Sequence, residues 1–347
     1  MLFSYQDIIS QAKKIQERYV DYVQEYGMPY YRPEKGIGWA ITPNAHHQTL
    51  DANSNKLGFR KTVLDENDVL DLPKISFWGS SIVEGCELLD EYTWLWQLQE
   101  KMKGDFAICN GGVSGYGTDQ AFLRFKQRIQ DVKPKVAFLG YATTDLLRNL
   151  SIERMLLMQR GGEFLFLKPR YIISPEGQLE LIVPSETNYE NLADVLQEAQ
   201  TKLLLKRYDP FFVRCSLLRQ LHYHLLRKCG IDAGLPKEDK LKEEALQIVW
   251  GIFKEFMGFC SENDIEGRIL FLPIYKGLNQ CGSDFDTLIQ KLYDANYPYV
   301  DLREIFVHRE KYAIDELYEP KNHYSRLSGE WISSYLANYI QGTWGNE

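Results

Sequence analysis

The stretch FWGSSIVEGCEL, residues 77–88, passes straight from an apolar segment into a turn bounded by Gly79 and Gly85 that holds Ser80 and Ser81. A short apolar run, then a glycine turn, then helix-forming residues is the pattern of a strand-to-helix connection in an α/β protein. Such turns lie at the carboxyl ends of parallel strands, where open α/β sheets place their chemistry. The two serines therefore pose a choice between a nucleophile and a plain helix cap.

Working outward, the same alternation repeats. Apolar runs occur at KISFWG (74–79), DFAICNGG (105–112), KVAFLGY (135–141), RILFLPIY (268–275) and YVDL (299–302). Helix-patterned stretches separate them: DEYTWLWQLQEKMKG (90–104), TDQAFLRFKQRIQDVKP (118–134) and KEEALQIVWGIFKEFMGFCSEND (242–264). Short parallel strands need crossover helices, and right-handed crossovers cover both faces. The expectation is an α/β chain with a five-stranded parallel sheet inside a three-layer α/β/α sandwich. Trp78, Trp94 and Trp96 then read as core.

Two regions fall outside this alternation. Residues 1–70 are expected to form an N-terminal helix and extension packing on a domain that covers 71–345, and residues 146–240 to form an insertion in it. The first 27 residues have the mixed pattern of an amphipathic helix. KPRYIISPEGQLELIVP (168–184) reads as a hairpin turning at Pro175 and Gly177, and 209–228 as a helix capped by Asp209 with Pro210 at its first position.

At 347 residues, 44% hydrophobic and 13% aromatic, the chain can bury a large core. Its net charge of −8 argues against a nucleic-acid or anionic-membrane partner. The N-terminus lacks an apolar run long enough for a signal peptide or a membrane span. The six cysteines are scattered with no CxxC pair, as expected of reduced thiols in a cytoplasmic protein. The histidine pairs His46-His47 and His222/His224 lack metal-ligand spacing, so no metal and no cofactor are expected.

Three loops at the strand ends share an unusual character: GSSIVEG (79–85), NGGVSGYGTDQ (110–120) and GYATTDLLRN (140–149). Their glycines let backbone amides approach a ligand and point inward, as a developing oxyanion requires. Ser114 and Asp119 lie in the second loop, where Ser114 reads as shaping the turn. Near the end, His323 precedes an amphipathic helix with Leu327, Ile332, Leu336 and Ile340 on one side.

These blocks together resemble the SGNH (GDSL-type) hydrolases, esterases and acylhydrolases with a flavodoxin-like sheet. Gly79-Ser80-Ser81-x-x-x-Gly85 matches that family's first block, which implies Ser81 as nucleophile. NGGVSGYGTDQ matches the second, which implies that the Gly115 amide helps to bind the oxyanion with that of Ser81. KNHYSRLSG matches the last, which implies His323 as base. The resemblance takes in NKLGFRKTV (55–63) and the 168–184 hairpin, and covers about residues 30 to 340.

Three departures accompany it. Ser80 stands where the family has aspartate, and Thr144 where an asparagine donates to the oxyanion. Pro320 occupies the position of the triad acid, which leaves Glu319 as its nearest substitute, expected to reach the Nδ1 of His323. The resemblance implies a serine-dependent ester hydrolase acting on a small acyl ester of a carbohydrate or metabolite. An O-acyltransferase using the same site, or a binding protein that has lost catalysis, are the alternatives. Nothing in the sequence reports the oligomeric state.

Overall fold

The computed structural model describes residues 4–63, 71–158, 166–212, 238–275, 282–306, 311–319 and 323–345. It divides into two compact units, one of residues 1–40 with 146–249 and the other of 41–145 with 250–347.

The second unit contains the sheet. Its strands are β1 (Lys74–Trp78), β2 (Ala107–Asn110), β3 (Val136–Tyr141), β4 (Glu266–Phe271) and β5 (Tyr299–Asp301). All pairings are parallel, in the order β2-β1-β3-β4-β5. This is the flavodoxin-like order, whose direction reverses between β1 and β3. The five apolar runs of the sequence are these five strands.

Side-chain alternation explains why both faces are covered. Ile75 and Phe77 of β1, Val136 and Phe138 of β3, and Leu270 of β4 enter one core. That core is completed by α3 (Trp94–Lys101) through Trp94, Leu95 and Leu98, and by α7 (Arg326–Trp344) through Ile332, Leu336 and Ile340. The intervening positions face the other way. Trp78 packs on Phe125 of α4 (Thr118–Val132), Tyr141 on Phe253 of α5 (Glu238–Glu262), and Phe271 on Phe285 of α6 (Gly282–Asp294). The result is the three-layer α/β/α sandwich.

In the first unit, α1 (Tyr5–Tyr26) starts at a capping box made by Ser4 and Asp7. It packs on the helix Leu192–Gln197, where the Tyr5 hydroxyl donates to the Leu196 carbonyl at 2.7 Å and Gln16 accepts from the Ala193 amide at 3.0 Å. The sequence expectation placed a division at residue 70. The N-terminal helix belongs with the 146–249 segment because its apolar face is buried there. Arg170–Ile173 and Leu179–Ile182 form the expected hairpin, with Gly177 in the left-handed region at φ 79°. Most of the helix expected at 209–228 lies outside the described residues. Asp209 does cap a turn, accepting from the Phe211 amide at 3.0 Å.

Candidate active site

The chain leaves β1 at Trp78, and Ser80 becomes the extended N-cap of the one-turn helix α2 (Ser81–Glu84). Gly79 is required by packing, because a Cβ there would sit 2.4 Å from a Val83 methyl. α2 ends at Gly85, left-handed at φ 79°, whose amide donates to the Ser81 carbonyl. Glu87 is left-handed as well, at φ 74°. For a residue with a Cβ that conformation costs about 1 kcal/mol, so the surroundings must hold it.

Among those surroundings is Arg60. Its side chain is fully buried, and its guanidinium donates to the backbone carbonyls of Glu84, Gly85 and Leu88 and, through Nε at 3.0 Å, to the Asp90 carboxylate. Asp90 also accepts from the Asn53 amide at 3.0 Å and from Asn53 Nδ2 at 2.8 Å. The backbone of Arg60 bridges that of Asn110, and the Asn110 side chain donates to the Glu84 carbonyl at 3.2 Å.

His323 arrives from the far end of the chain. The Tyr318–Tyr324 bridge and the Glu319 amide, which donates to the His323 carbonyl at 2.8 Å, hold the backbone of His323 beside that of Glu319. Ser325 then caps α7, accepting from Ser328 N at 3.2 Å, while its own hydroxyl donates to the Glu316 carbonyl.

These loops bring together three side chains. His323 Nε2 lies 2.8 Å from Ser81 Oγ, and His323 Nδ1 lies 2.6 Å from Glu87 Oε2. The serine and histidine are 242 positions apart. Ser81 is 8% exposed, and the side chains of His323 and Glu87 are 12% and 13% exposed, so the group is shielded yet reaches solvent. An ionised carboxylate only accepts hydrogen bonds, which puts the ring proton on Nδ1 and leaves the Nε2 lone pair for the serine hydroxyl.

The partner expected for Nδ1 was Glu319, and the structure corrects this. The nitrogen is taken by Glu87, because the left-handed turn after α2 aims that side chain at the ring. Glu319 is partly buried, and its carboxyl is pushed up by burial first and by the charge of Glu87 second. The two carboxylates are thus neighbours, with Glu87 on the ring.

The second loop is fitted against the first. The Val113 amide donates to the Gly79 carbonyl at 3.1 Å, and a Cβ on Gly112 would sit 2.3 Å from the Glu84 amide nitrogen. Gly115 is left-handed at φ 83°. Among the described residues, neither its amide nor that of Ser81 donates a hydrogen bond. Burial pushes the Cys86 thiol up to about 11, against an opposing effect of the neighbouring Ser114 side chain. Asp119 is fully buried and accepts from the Gln120 amide.

In the third loop, Thr144 is exposed within the turn Thr143–Asp145. The buried residue is its neighbour Asp145, which accepts from Ser80 Oγ and from the Ala142 amide, both at 3.2 Å. A hydroxyl on the β1 loop and a carboxylate on the β3 loop are therefore tied together where the sheet order reverses.

The sequence matches no protein-family model and no curated protein. Among solved structures, the chain is similar to a G-D-S-L family lipolytic protein from Desulfitobacterium hafniense DCB-2. Identity there is 9% and the TM-score 0.42, over 76% of this chain and 98% of that one. It is also similar to the psychrotrophic esterase EstA from Pseudoalteromonas sp., at 11% identity and a TM-score of 0.40, over 79% and 99% of the two chains. A lipase/acylhydrolase from Enterococcus faecalis aligns at 12% identity and a TM-score of 0.38, over 78% and 97%.

Reading residues alone missed Glu87, Arg60 and Asp145. The one available signal was the acidic cluster in GCELLDE (85–91), close behind the serine. Among the described residues, no group of histidine, cysteine and carboxylate side chains could hold a metal, and no helix is long and apolar enough to cross a membrane.

Proposed function

We propose that the chain is a serine-dependent hydrolase of small acyl esters carried on a carbohydrate or metabolite. The observation that carries this reading is the 2.8 Å approach of Ser81 Oγ to His323 Nε2. A serine hydroxyl is a weak nucleophile until an adjacent base takes its proton, and a neutral imidazole with its lone pair on the hydroxyl is such a base.

In this mechanism, Ser81 Oγ attacks the ester carbonyl as His323 accepts its proton. The tetrahedral oxyanion is held by the amides of Ser81 and Gly115, with the Thr144 hydroxyl as a third donor. Collapse expels the alcohol, to which His323 returns the proton, and leaves Ser81 acylated. Water then attacks the acyl-enzyme, again with His323 as base, and releases the acid. One lost oxyanion donor costs on the order of 3 kcal/mol, so a hydroxyl in place of an amide side chain slows the reaction without abolishing it.

A panel of p-nitrophenyl esters from acetate to palmitate, run on the wild type and on Ser81→Ala, tests the reading. Short esters should be cleaved, and removing the hydroxyl should lower turnover by about 10⁵-fold or more. Equal rates in the two proteins would remove Ser81 as nucleophile. A preference for palmitate would overturn the substrate class.

A further inference from the structure

We infer that Glu87, on the nucleophile's own loop, is the carboxylate that orients His323, and that the buried Arg60 is the positioning residue that sets it there. This deepens the ester-hydrolase reading and rests on it.

Three observations converge. Glu87 Oε2 lies 2.6 Å from His323 Nδ1, on the opposite side of the ring from Ser81, with both side chains largely buried. A charge-assisted hydrogen bond in that shielded setting fixes the tautomer and stabilises the imidazolium formed when Ser81 attacks. Second, Glu87 holds φ 74°, a backbone conformation that side chains other than glycine rarely adopt. Strain of this kind persists where neighbouring structure over-determines it, and it collects at functional sites.

Third, the restraining structure is visible. Arg60 donates to the carbonyls of Glu84 and Gly85 before Glu87 and of Leu88 after it, so the strained residue lies between tethered points. Gly85 is itself restricted, since a Cβ there would sit 2.6 Å from a Thr93 methyl. The Asp90 carboxylate offsets the guanidinium charge, and Asn53 holds Asp90. A planar guanidinium can serve several carbonyls and a carboxylate at fixed angles, which a lysine ammonium cannot. The loop carrying nucleophile and acid is thereby anchored from the segment that precedes β1.

The test compares Glu87→Gln, Glu319→Gln and Arg60→Lys with the wild type on p-nitrophenyl acetate, using Ser81→Ala as reference. Glu87→Gln should lower kcat by about 10³- to 10⁴-fold with KM nearly unchanged, because glutamine preserves size but not the tautomer. Glu319→Gln should stay within about threefold of wild type. Arg60→Lys should lower kcat by about 10- to 100-fold at unchanged KM, since small misplacements of a catalytic group have effects of this size.

A far-downfield proton resonance from His323 Nδ1–H should be present in the wild type and in Glu319→Gln and lost in Glu87→Gln, a signature that a merely structural role would not move. If Arg60→Lys does not fold, Asn53→Ala removes one donor from Asp90 and should give a several-fold fall in kcat; wild-type kcat in that variant overturns the positioning role. Wild-type kcat in Glu87→Gln with Ser81→Ala inactive overturns the role of Glu87 and leaves the ester-hydrolase reading intact. Full activity in Ser81→Ala removes that reading instead, and the resonance then decides the Glu87 pairing: its survival in Glu87→Gln overturns it.

Discussion

Arg60 and Arg170 make a useful pair, one in each compact unit. Both side chains are almost wholly buried, and each spends its donors on several backbone carbonyls and one carboxylate. Arg170 serves the carbonyls of Leu150, Tyr171 and Tyr208 and the Glu244 carboxylate at 2.7 Å. Arg60 serves those of Glu84, Gly85 and Leu88 and the Asp90 carboxylate. What the two arginines organise differs. The loop under Arg60 ends in a carboxylate that meets a histidine at the edge of solvent. The carboxylates near Arg170, Glu153 and Asp209, are fully enclosed and face backbone amides: Ile152 and Glu153 donate to Asp209, and Leu156 donates to Glu153. Glu153 Oε1 has no hydrogen-bond partner among the described residues. On the proposed function, the same cation chemistry supports a chemical site in one unit and a structural joint in the other, and the difference lies in whether a histidine faces the carboxylate.

That contrast can be broken through pH. Burial, with the neighbouring Asp209 adding to it, pushes the Glu153 carboxyl up to about 8 from 4.5, and burial pushes Asp209 up to about 6. A carboxyl that ionises less readily in the folded state holds its proton more tightly there. Its stabilisation is therefore whole below pH 4.5 and drains away as pH rises to about 8. Denaturant unfolding should show a loss of several kcal/mol across that window, because each tenfold difference in proton affinity between the folded and unfolded chain is about 1.4 kcal/mol. Glu153→Gln should flatten the curve and be the more stable protein above it. An unchanged pH dependence in that variant would place the effect elsewhere.

The next effect in size belongs to Arg170→Met, which leaves three buried carbonyls short of a donor. It should destabilise by about 3 kcal/mol in urea unfolding. The pH dependence of kcat in the folded fraction should match that of the wild type, which sharpens the contrast with Arg60. A shifted pH profile would mean that both arginines serve the chemistry. Smallest is Ser80→Ala, which removes one hydrogen bond to the buried Asp145 carboxylate and should cost about 1 kcal/mol. A value near zero would show that Asp145 is held by its other neighbours.

The sheet was legible because each of its strands writes its burial into a compact apolar run between glycine, proline or polar boundaries, as KISFW and VAFLGY do. Ser81 and His323 were legible through the blocks around them, and their hydrogen bond was an expectation of the fold that the geometry meets. Glu87 was not. Its proposed role depends on a left-handed backbone that no local residue announces and on a partner 236 positions away. Arg60 escaped notice because a lone arginine reads as a solvated charge, and only a ring of carbonyls makes it a core residue. Thr144 and Asp145 show the limit of matching by position: the threonine at the expected place is exposed, while the carboxylate beside it is buried against Ser80. The packing of α1 was not legible because its apolar partner lies in a segment remote in sequence.

The order in which the three side chains occur along the polypeptide has a consequence for biosynthesis. A ribosome makes Ser81, Glu87 and the Gly115 loop well before it reaches His323 and the helix that follows it. On the proposed mechanism a nascent chain holds a nucleophile, an acid and an anion cradle but has no base, and stays inert toward esters while it is being made. On that mechanism activity would switch on when α7, capped by Ser325 two residues after the histidine, docks against α3. The appearance of turnover during refolding would therefore time the docking of that helix, without any label attached to the protein.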